Sequence, residues 1–238
     1  TISTTVAGIN TICTVVGMRT KGMTYERMPI FVWASLIAAG LGLYAFPFFL
    51  AVMSLNISDR MVGTSFFISS GGGTGWLQEN LFWLMGHPEV YVVLLPAMGI
   101  VAEVITVFSR KKLFAYKTVL FTIIGTGALS FVVWAHHQFI AGIDPRMANV
   151  FTVTTVLISI PIAEMCFVYI ATLYGASIQL TTAMLFALCF IVEYRHCDWC
   201  RCWRCGISGA CWLWGSAACV QVENYCKAAR DPDTSCRT

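Results

Sequence analysis

Three histidines lie within apolar stretches of this chain, where ionisable side chains are rare. His87 opens the sequence His-Pro-Glu-Val-Tyr, and His136 and His137 are adjacent in a later apolar stretch. An ionisable group at membrane depth is by default a candidate functional group. Imidazole is a ligand for copper, zinc, iron and nickel, and three histidine ligands leave a coordination position open for chemistry. The three residues therefore predict a catalytic metal centre.

Two further groups beside His87 suit redox and proton chemistry. Tyr91 lies four residues after His87, so the two side chains share one helix face. A phenol close to a redox metal can supply an electron and a proton. Glu89 projects from a different face, and a carboxyl group in an apolar helix is a candidate proton carrier. The structural alternative for Glu89 is a hydrogen bond to backbone freed by Pro88.

The composition predicts that these residues lie in a membrane. Of the 238 residues, 58% are hydrophobic and 11% are charged, whereas soluble domains carry about 25% charge. The net charge of +3 comes from basic residues in short loops and indicates no nucleic-acid partner. The chain begins with Thr1 rather than Met, which we interpret as a sign of a fragment, and it shows no signal-peptide pattern.

A transmembrane helix needs about 20 mostly apolar residues, and several segments meet this length. We predict spans at residues 29–58, 77–107, 113–143 and 147–173, with a partial helix at 1–18 and another from 180 to 192. The basic residues cluster in alternate loops, which the positive-inside rule assigns to the cytoplasm. His87 then lies ~15 Å below the outer end of its span, and His136 and His137 lie ~9 Å below theirs. Antiparallel neighbouring helices could bring the three imidazoles together in the outer half of the membrane.

Residues 81–91 and 134–139 resemble subunit I of the haem-copper terminal oxidases, and residues 71–73, 108–111 and 170–173 support the resemblance. The similarity covers about residues 1–192. It implies an all-α polytopic transmembrane helix bundle, here a fragment of a twelve-helix subunit from its fourth helix into its ninth.

The resemblance also implies roles for individual residues. His87, His136 and His137 would ligate the copper of the binuclear centre. Tyr91 would be covalently joined to His87 and would donate an electron and a proton, and Glu89 would pass protons towards the centre. This tyrosine favours an oxygen-reducing enzyme over the related nitric oxide reductases. Trp134 would pack against a cofactor, with ordinary core packing as the alternative.

Two features depart from the family pattern. Met165 occupies the place of a lysine that feeds a second proton channel, and Glu164 is the ionisable group beside it. We expect Glu164 to take part in proton transfer, with a purely structural role as the alternative. The histidines that ligate the two haems of the complete subunit are absent, so the chain alone is expected to be inactive.

The region 193–238 differs from the rest. It holds eight of the 11 cysteines and many tryptophans. Paired Cys-x-x-Cys units bind zinc, but here the two pairs are separated by only one residue, a much shorter spacing than in zinc ribbons. A disulfide knot is another interpretation. We favour translation in the wrong frame, because shifting Arg195 and the following codons by one base gives codons for small apolar residues. Such a tail would be disordered.

Together these observations predict the catalytic subunit of a respiratory oxidase that reduces O2 to water and couples this to proton translocation. Its electrons would come from cytochrome c or a quinol. Its partners would be subunits II and III and the lipid bilayer, in a bacterial inner membrane. The alternative is a polytopic transporter or proton channel with a histidine-lined pathway.

Overall fold

A computed structural model describes residues 2–196, with side chains described for residues 2–192, and this part of the chain is helical without strands. The predictions for the cysteine-rich tail lie outside the described residues. The six α-helices are α1 (Ile2–Gly17), α2 (Ile30–Met61), α3 (Gly75–Ser109), α4 (Tyr116–Leu129), α5 (Pro145–Leu173) and α6 (Thr182–His196). Short 3-10 helices occupy Tyr25–Arg27, Ser69–Gly71 and Trp134–Gln138.

Three of these helices, α2, α3 and α5, are long and apolar enough to cross a membrane. Their bounds agree with the predicted spans within a few residues. Local residues explain where two of them begin: the Asp144 carboxylate accepts from the backbone N–H of Arg146 before α5, and Pro145 occupies the first turn. The hydroxyl of Thr74 similarly accepts from the N–H of Trp76 at the start of α3.

Close packing of α2 against α3 forms the centre of the bundle. Gly99 allows this approach, because a Cβ atom there would lie 2.7 Å from the Cα of Phe31. One helix also caps the other, since the Glu103 carboxylate accepts a hydrogen bond of 3.0 Å from the backbone N–H of Ile30. Glu103 therefore satisfies one of the free donors at the α2 N-terminus. The buried core around this contact includes Tyr91, Leu95 and residues of α4, α5 and α6.

The prediction of one continuous helical span over residues 113–143 is wrong. The α-helix ends at Leu129, and the chain then turns into the 3-10 helix Trp134–Gln138, which carries both adjacent histidines. Glycine weakens this helix near its end but is needed there, because a Cβ on Gly127 would lie 2.7 Å from a methyl group of Ile37. The Ser130 hydroxyl also bonds back to the Gly127 carbonyl, a competing contact typical of bent helices.

Candidate metal centre

Two elements bring the three predicted histidines together. His87 lies in the middle of α3, and His136 and His137 lie on the 3-10 helix that packs against α3 and α5. His87 is fully buried, His136 is nearly so, and His137 is half-buried. One ligand nitrogen from each residue lies within 4.8 Å of the others. The prediction that these side chains meet is confirmed by their positions.

Within the trio, Nδ1 of His87 and Nε2 of His137 lie 3.2 Å apart. The imidazole centroids of His87 and His136 are 4.8 Å apart, and those of His136 and His137 are 4.3 Å apart. Two nitrogens bound to one metal at about 2.0 Å lie no more than about 4 Å apart. A small contraction would therefore bring all three nitrogens onto a common ion.

A hydrogen bond from outside the trio sets the orientation of His136. The Thr155 hydroxyl lies 3.1 Å from Nδ1 of His136 and donates its proton to the Phe151 carbonyl at 2.6 Å. Because a hydroxyl has a single proton, its oxygen must accept from His136, so we assign the hydrogen to Nδ1. The Nε2 lone pair is then available to a metal, the usual arrangement for a ligating histidine.

An indole ring fixes the position of His137. Trp83 stacks on this imidazole with centroids 3.8 Å apart and planes inclined by 3°. Trp83 lies one helical turn before His87 on α3, so a single helix face supplies a ligand and the ring that supports another. The stack restricts the rotation of the His137 side chain.

Tyr91 lies beside the trio, as its spacing from His87 predicted. The two rings have centroids 5.2 Å apart, and Tyr91 is fully buried. The phenol oxygen and Nε2 of His87 have no hydrogen-bond partner among the described residues. Buried polar atoms without partners are rare and call for an explanation, and a bound group at this position would supply one.

Glu89 points away from the three histidines. It lies on the exposed side of α3 in a groove of about 520 Å³ that also contains Trp83, Gly86 and Phe190. The groove shares Trp83 with the metal site. Glu89 is thus a neighbour of His87 along α3, but its side chain lines the groove and is not part of the histidine cluster.

The remaining two predicted residues lie farther out. Trp134 is half-buried and packs against Phe151, with ring centroids 5.7 Å apart. Glu164 is half-buried on α5 and accepts a hydrogen bond of 2.9 Å from the Thr122 hydroxyl of α4. The contacts that the structure describes for these two residues are therefore with Phe151 and with Thr122.

Sequence reasoning missed two residues that act on the histidines, Trp83 and Thr155. The four-residue spacing of Trp83 from His87 is a signal that could have found it. Nothing in the sequence pairs Thr155 with His136, because the contact depends on how α5 packs against the 3-10 helix.

The described site fits a metal by the chemistry of its donors. The three close donors are imidazoles, and the tautomer assigned to His136 leaves its Nε2 lone pair free to bind a metal. Such a set suits copper or another borderline transition metal more than magnesium or calcium, which prefer oxygen ligands.

Comparison with known proteins agrees with this chemistry. Residues 1–194 match the family model described as Cytochrome C and Quinol oxidase polypeptide I. The chain belongs to this family. Its membership makes the chain part of a polytopic membrane helix bundle, as the composition and the resemblance predicted.

Individual relatives within the family show the extent of the match. Cytochrome c oxidase subunit 1 of Bacillus subtilis (strain 168) is 44% identical over 193 residues, covering 81% of this chain and 31% of the relative. Quinol oxidase subunit 1 of the same organism is 45% identical over 81% of this chain and 30% of the relative. Alternative cytochrome c oxidase subunit 1 of Bradyrhizobium diazoefficiens is 42% identical over 203 residues, covering 81% of this chain and 34% of the relative. The chain thus spans about a third of the length of these relatives.

Proposed function

We propose that this chain supplies the copper-binding part of the catalytic subunit of a terminal respiratory oxidase. The complete enzyme would reduce O2 to water with electrons from cytochrome c or a quinol and would couple this reaction to proton translocation. The observation that carries the proposal is the convergence of His87, His136 and His137 within 4.8 Å in a chain of the oxidase family. Family membership favours this function over a transporter or proton channel with a histidine-lined pathway.

His87, His136 and His137 would hold the copper through Nδ1, Nε2 and Nε2 respectively. When bound, copper would act with a haem of the complete subunit to bind and reduce O2. The protein's part is to keep the imidazoles in a ligating orientation, which Thr155 and Trp83 do for two of them. The two haems and their ligands would belong to other parts of the complete subunit.

Tyr91 would donate an electron and a proton, and we propose the covalent bond to His87 that the resemblance implies. Support comes from the burial of both rings and from the unpartnered phenol oxygen and Nε2. Peptide mass spectrometry of the complete protein tests the bond: a crosslinked fragment containing both residues supports it, and two separate unmodified peptides refute it.

Glu89 would carry protons towards the centre from the groove along α3, while Glu164 would take part in proton uptake at the α4–α5 contact. We further propose that Trp134 packs against a cofactor on the outer side of the site. Its half-exposed ring next to Phe151 leaves an apolar surface suited to a planar group.

The proposed partners are subunits II and III, the electron donor, O2 and the lipid bilayer. The relatives bear the names of both cytochrome c and quinol oxidases at nearly equal identity, so the donor is left as either class. The bacterial relatives support the bacterial plasma membrane as the location.

An optical and paramagnetic-resonance study of the full-length subunit in its complex tests the function. Low-spin and high-spin haem bands together with copper bound to nitrogen are the expected result. A full-length protein that is folded in membranes and lacks both haem and copper would refute the proposal.

For residues 193–238 we propose that the reading frame has shifted. The family match ends at residue 194, close to the compositional change. Resequencing the DNA across codons 192–196 tests this: a missing or additional base supports the shift, and an intact frame with peptides detected from the tail refutes it.

A further inference from the structure

A cavity opens where the start of α2, the end of α3 and the start of α4 meet. Its volume is about 280 Å³, and the residues that line it include Glu26, Arg27, Glu103, Thr106 and Tyr116. This volume lies just below the range of roughly 300–1,000 Å³ that is usual for small-molecule pockets. The cavity therefore has room for a small polar group.

The depth of the cavity in the membrane follows from the length of α3. This helix has 35 residues, so it is ~52 Å long and, if centred, extends about 11 Å beyond each side of a hydrocarbon layer ~30 Å thick. Glu103 lies six residues before Ser109 at the end of α3, or ~9 Å from that end. The positive-inside rule assigns this end to the cytoplasm. The cavity therefore lies where the hydrocarbon meets the cytoplasmic headgroups.

Charges of both signs line the cavity without neutralising each other. Glu26 and Arg27 are exposed, and no ion pair within 4.0 Å joins either of them to the other or to another described residue. Glu103 is half-buried, and one of its carboxylate oxygens accepts from the backbone N–H of Ile30. Its other oxygen accepts no hydrogen bond from a described residue. Unpaired charges are ordinary on a solvated surface, but here a half-buried carboxylate shares one cavity with them.

The hydroxyl groups of the cavity can only accept further hydrogen bonds. Tyr116 donates its proton to the Met28 carbonyl, and Thr106 donates to the Glu103 carbonyl at 2.8 Å. Because a hydroxyl has a single proton, each oxygen keeps only lone pairs for a ligand. With the second carboxylate oxygen of Glu103, they make three acceptors without a matching donor. A primary ammonium group has three N–H donors and a positive charge, so it complements this set.

Apolar side chains are exposed next to the cavity on the membrane side. Phe31, in the first turn of α2, is 39% exposed, and Ile100, one turn deeper than Glu103 on α3, is 51% exposed. Gly99 lets the two helices touch at this level, so the two apolar side chains belong to one region of the surface. A ligand with hydrocarbon chains therefore has a surface to lie on, which a soluble ammonium compound would leave uncovered.

We propose that this cavity binds the headgroup of a phospholipid with a primary ammonium group, a phosphatidylethanolamine. The ammonium donates to the Glu103 carboxylate and the two hydroxyl oxygens, and the phosphate accepts from the Arg27 guanidinium at the opening. The acyl chains lie against Phe31 and Ile100. Phosphatidylcholine has no N–H donor for these acceptors, and phosphatidylglycerol brings a negative charge towards two carboxylates without a cation between them. The site therefore selects phosphatidylethanolamine over both.

Lipid retention by the full-length complex tests the site. The complex is reconstituted in lipid discs with equal amounts of phosphatidylethanolamine, phosphatidylcholine and phosphatidylglycerol, and mass spectrometry of the intact complex then counts the lipids that stay bound in detergent. The wild type should retain phosphatidylethanolamine in preference to the other two. Glu103→Gln, whose amide oxygen can still cap α2, and Arg27→Gln should each lower this retention about tenfold, as expected for one lost hydrogen bond to a charged group.

Two variants are matched controls because they remove exposed charges outside the cavity. Lys112→Gln changes a basic residue of the same cytoplasmic surface, and Glu79→Gln changes an acid near the other end of α3. Both should retain lipid as the wild type does. Equal retention of phosphatidylethanolamine in all these proteins, or equal retention of the three lipids by the wild type, would overturn the proposal. Copper and haem spectra of the same samples report on the oxidase function separately, so either proposal can fail without the other.

Discussion

Replacing Thr155 by valine should weaken copper binding without changing the fold. Valine has nearly the shape of threonine, so packing on α5 is kept while the oxygen 3.1 Å from Nδ1 of His136 is lost. The imidazole then loses the hydrogen bond that sets its tautomer, in a site where both residues are buried. Loss of such an outer partner lowers metal affinity by about 10–100-fold, which corresponds to about 1.4–2.8 kcal/mol.

The assay is competition for copper between the full-length protein and a chelator of known affinity, read by metal analysis after desalting. Thr152→Val is the control, because it removes a hydroxyl from the same helix without a bond to histidine. The expected order is wild type equal to Thr152→Val and both tighter than Thr155→Val. Equal copper affinity in all three proteins would refute the assignment of Thr155 as the residue that orients His136.

Three further predictions concern neighbouring positions. Tyr91→Phe should keep copper, because the ring that packs beside His87 remains, but should abolish O2 reduction in the full-length enzyme; normal turnover would exclude the phenol from the reaction. Trp83→Leu should broaden the copper resonance by freeing the His137 ring from its stack, and an unchanged spectrum would argue against this support. Gly99→Ala should lower the free energy of unfolding by about 1–3 kcal/mol, because the new Cβ would lie 2.7 Å from the Phe31 backbone. The control Gly125→Ala, whose Cβ would meet nothing within 4 Å, should not lower it. Equal stability of the two variants in thermal unfolding in detergent would show that the α2–α3 contact is unimportant.

The long spans and the shared helix face of His87 and Tyr91 could be predicted from the sequence because both depend on local pattern. Hydropathy over about 20 residues locates α2, α3 and α5, and the four-residue spacing puts His87 and Tyr91 on one face. The end of α4 at Leu129 could not be predicted this way. Residues 130–143 are nearly as apolar as the helix before them, so hydropathy does not register the change to a 3-10 helix.

Contacts between elements that are distant in the sequence could not be predicted from it either. The bond between Thr155 and His136 depends on how α5 packs against the 3-10 helix, and the bond between Thr122 and Glu164 depends on the register of α4 and α5. Glu89 and Glu164 were predicted as acids in apolar helices, but their faces and partners became visible only with the packing. The stack of Trp83 on His137 similarly requires α3 and the 3-10 helix to be in place.

Copper X-ray absorption of the full-length subunit tests the central claim most directly. Copper bound by three imidazole nitrogens is the predicted result, and replacing any one of His87, His136 and His137 by alanine should remove one nitrogen ligand or release the metal. Thr152→Val, which removes a hydroxyl bonded only to its own helix, should leave the spectrum unchanged. Copper whose ligand set is the same in the three alanine variants as in the wild type would contradict the assignment of this site.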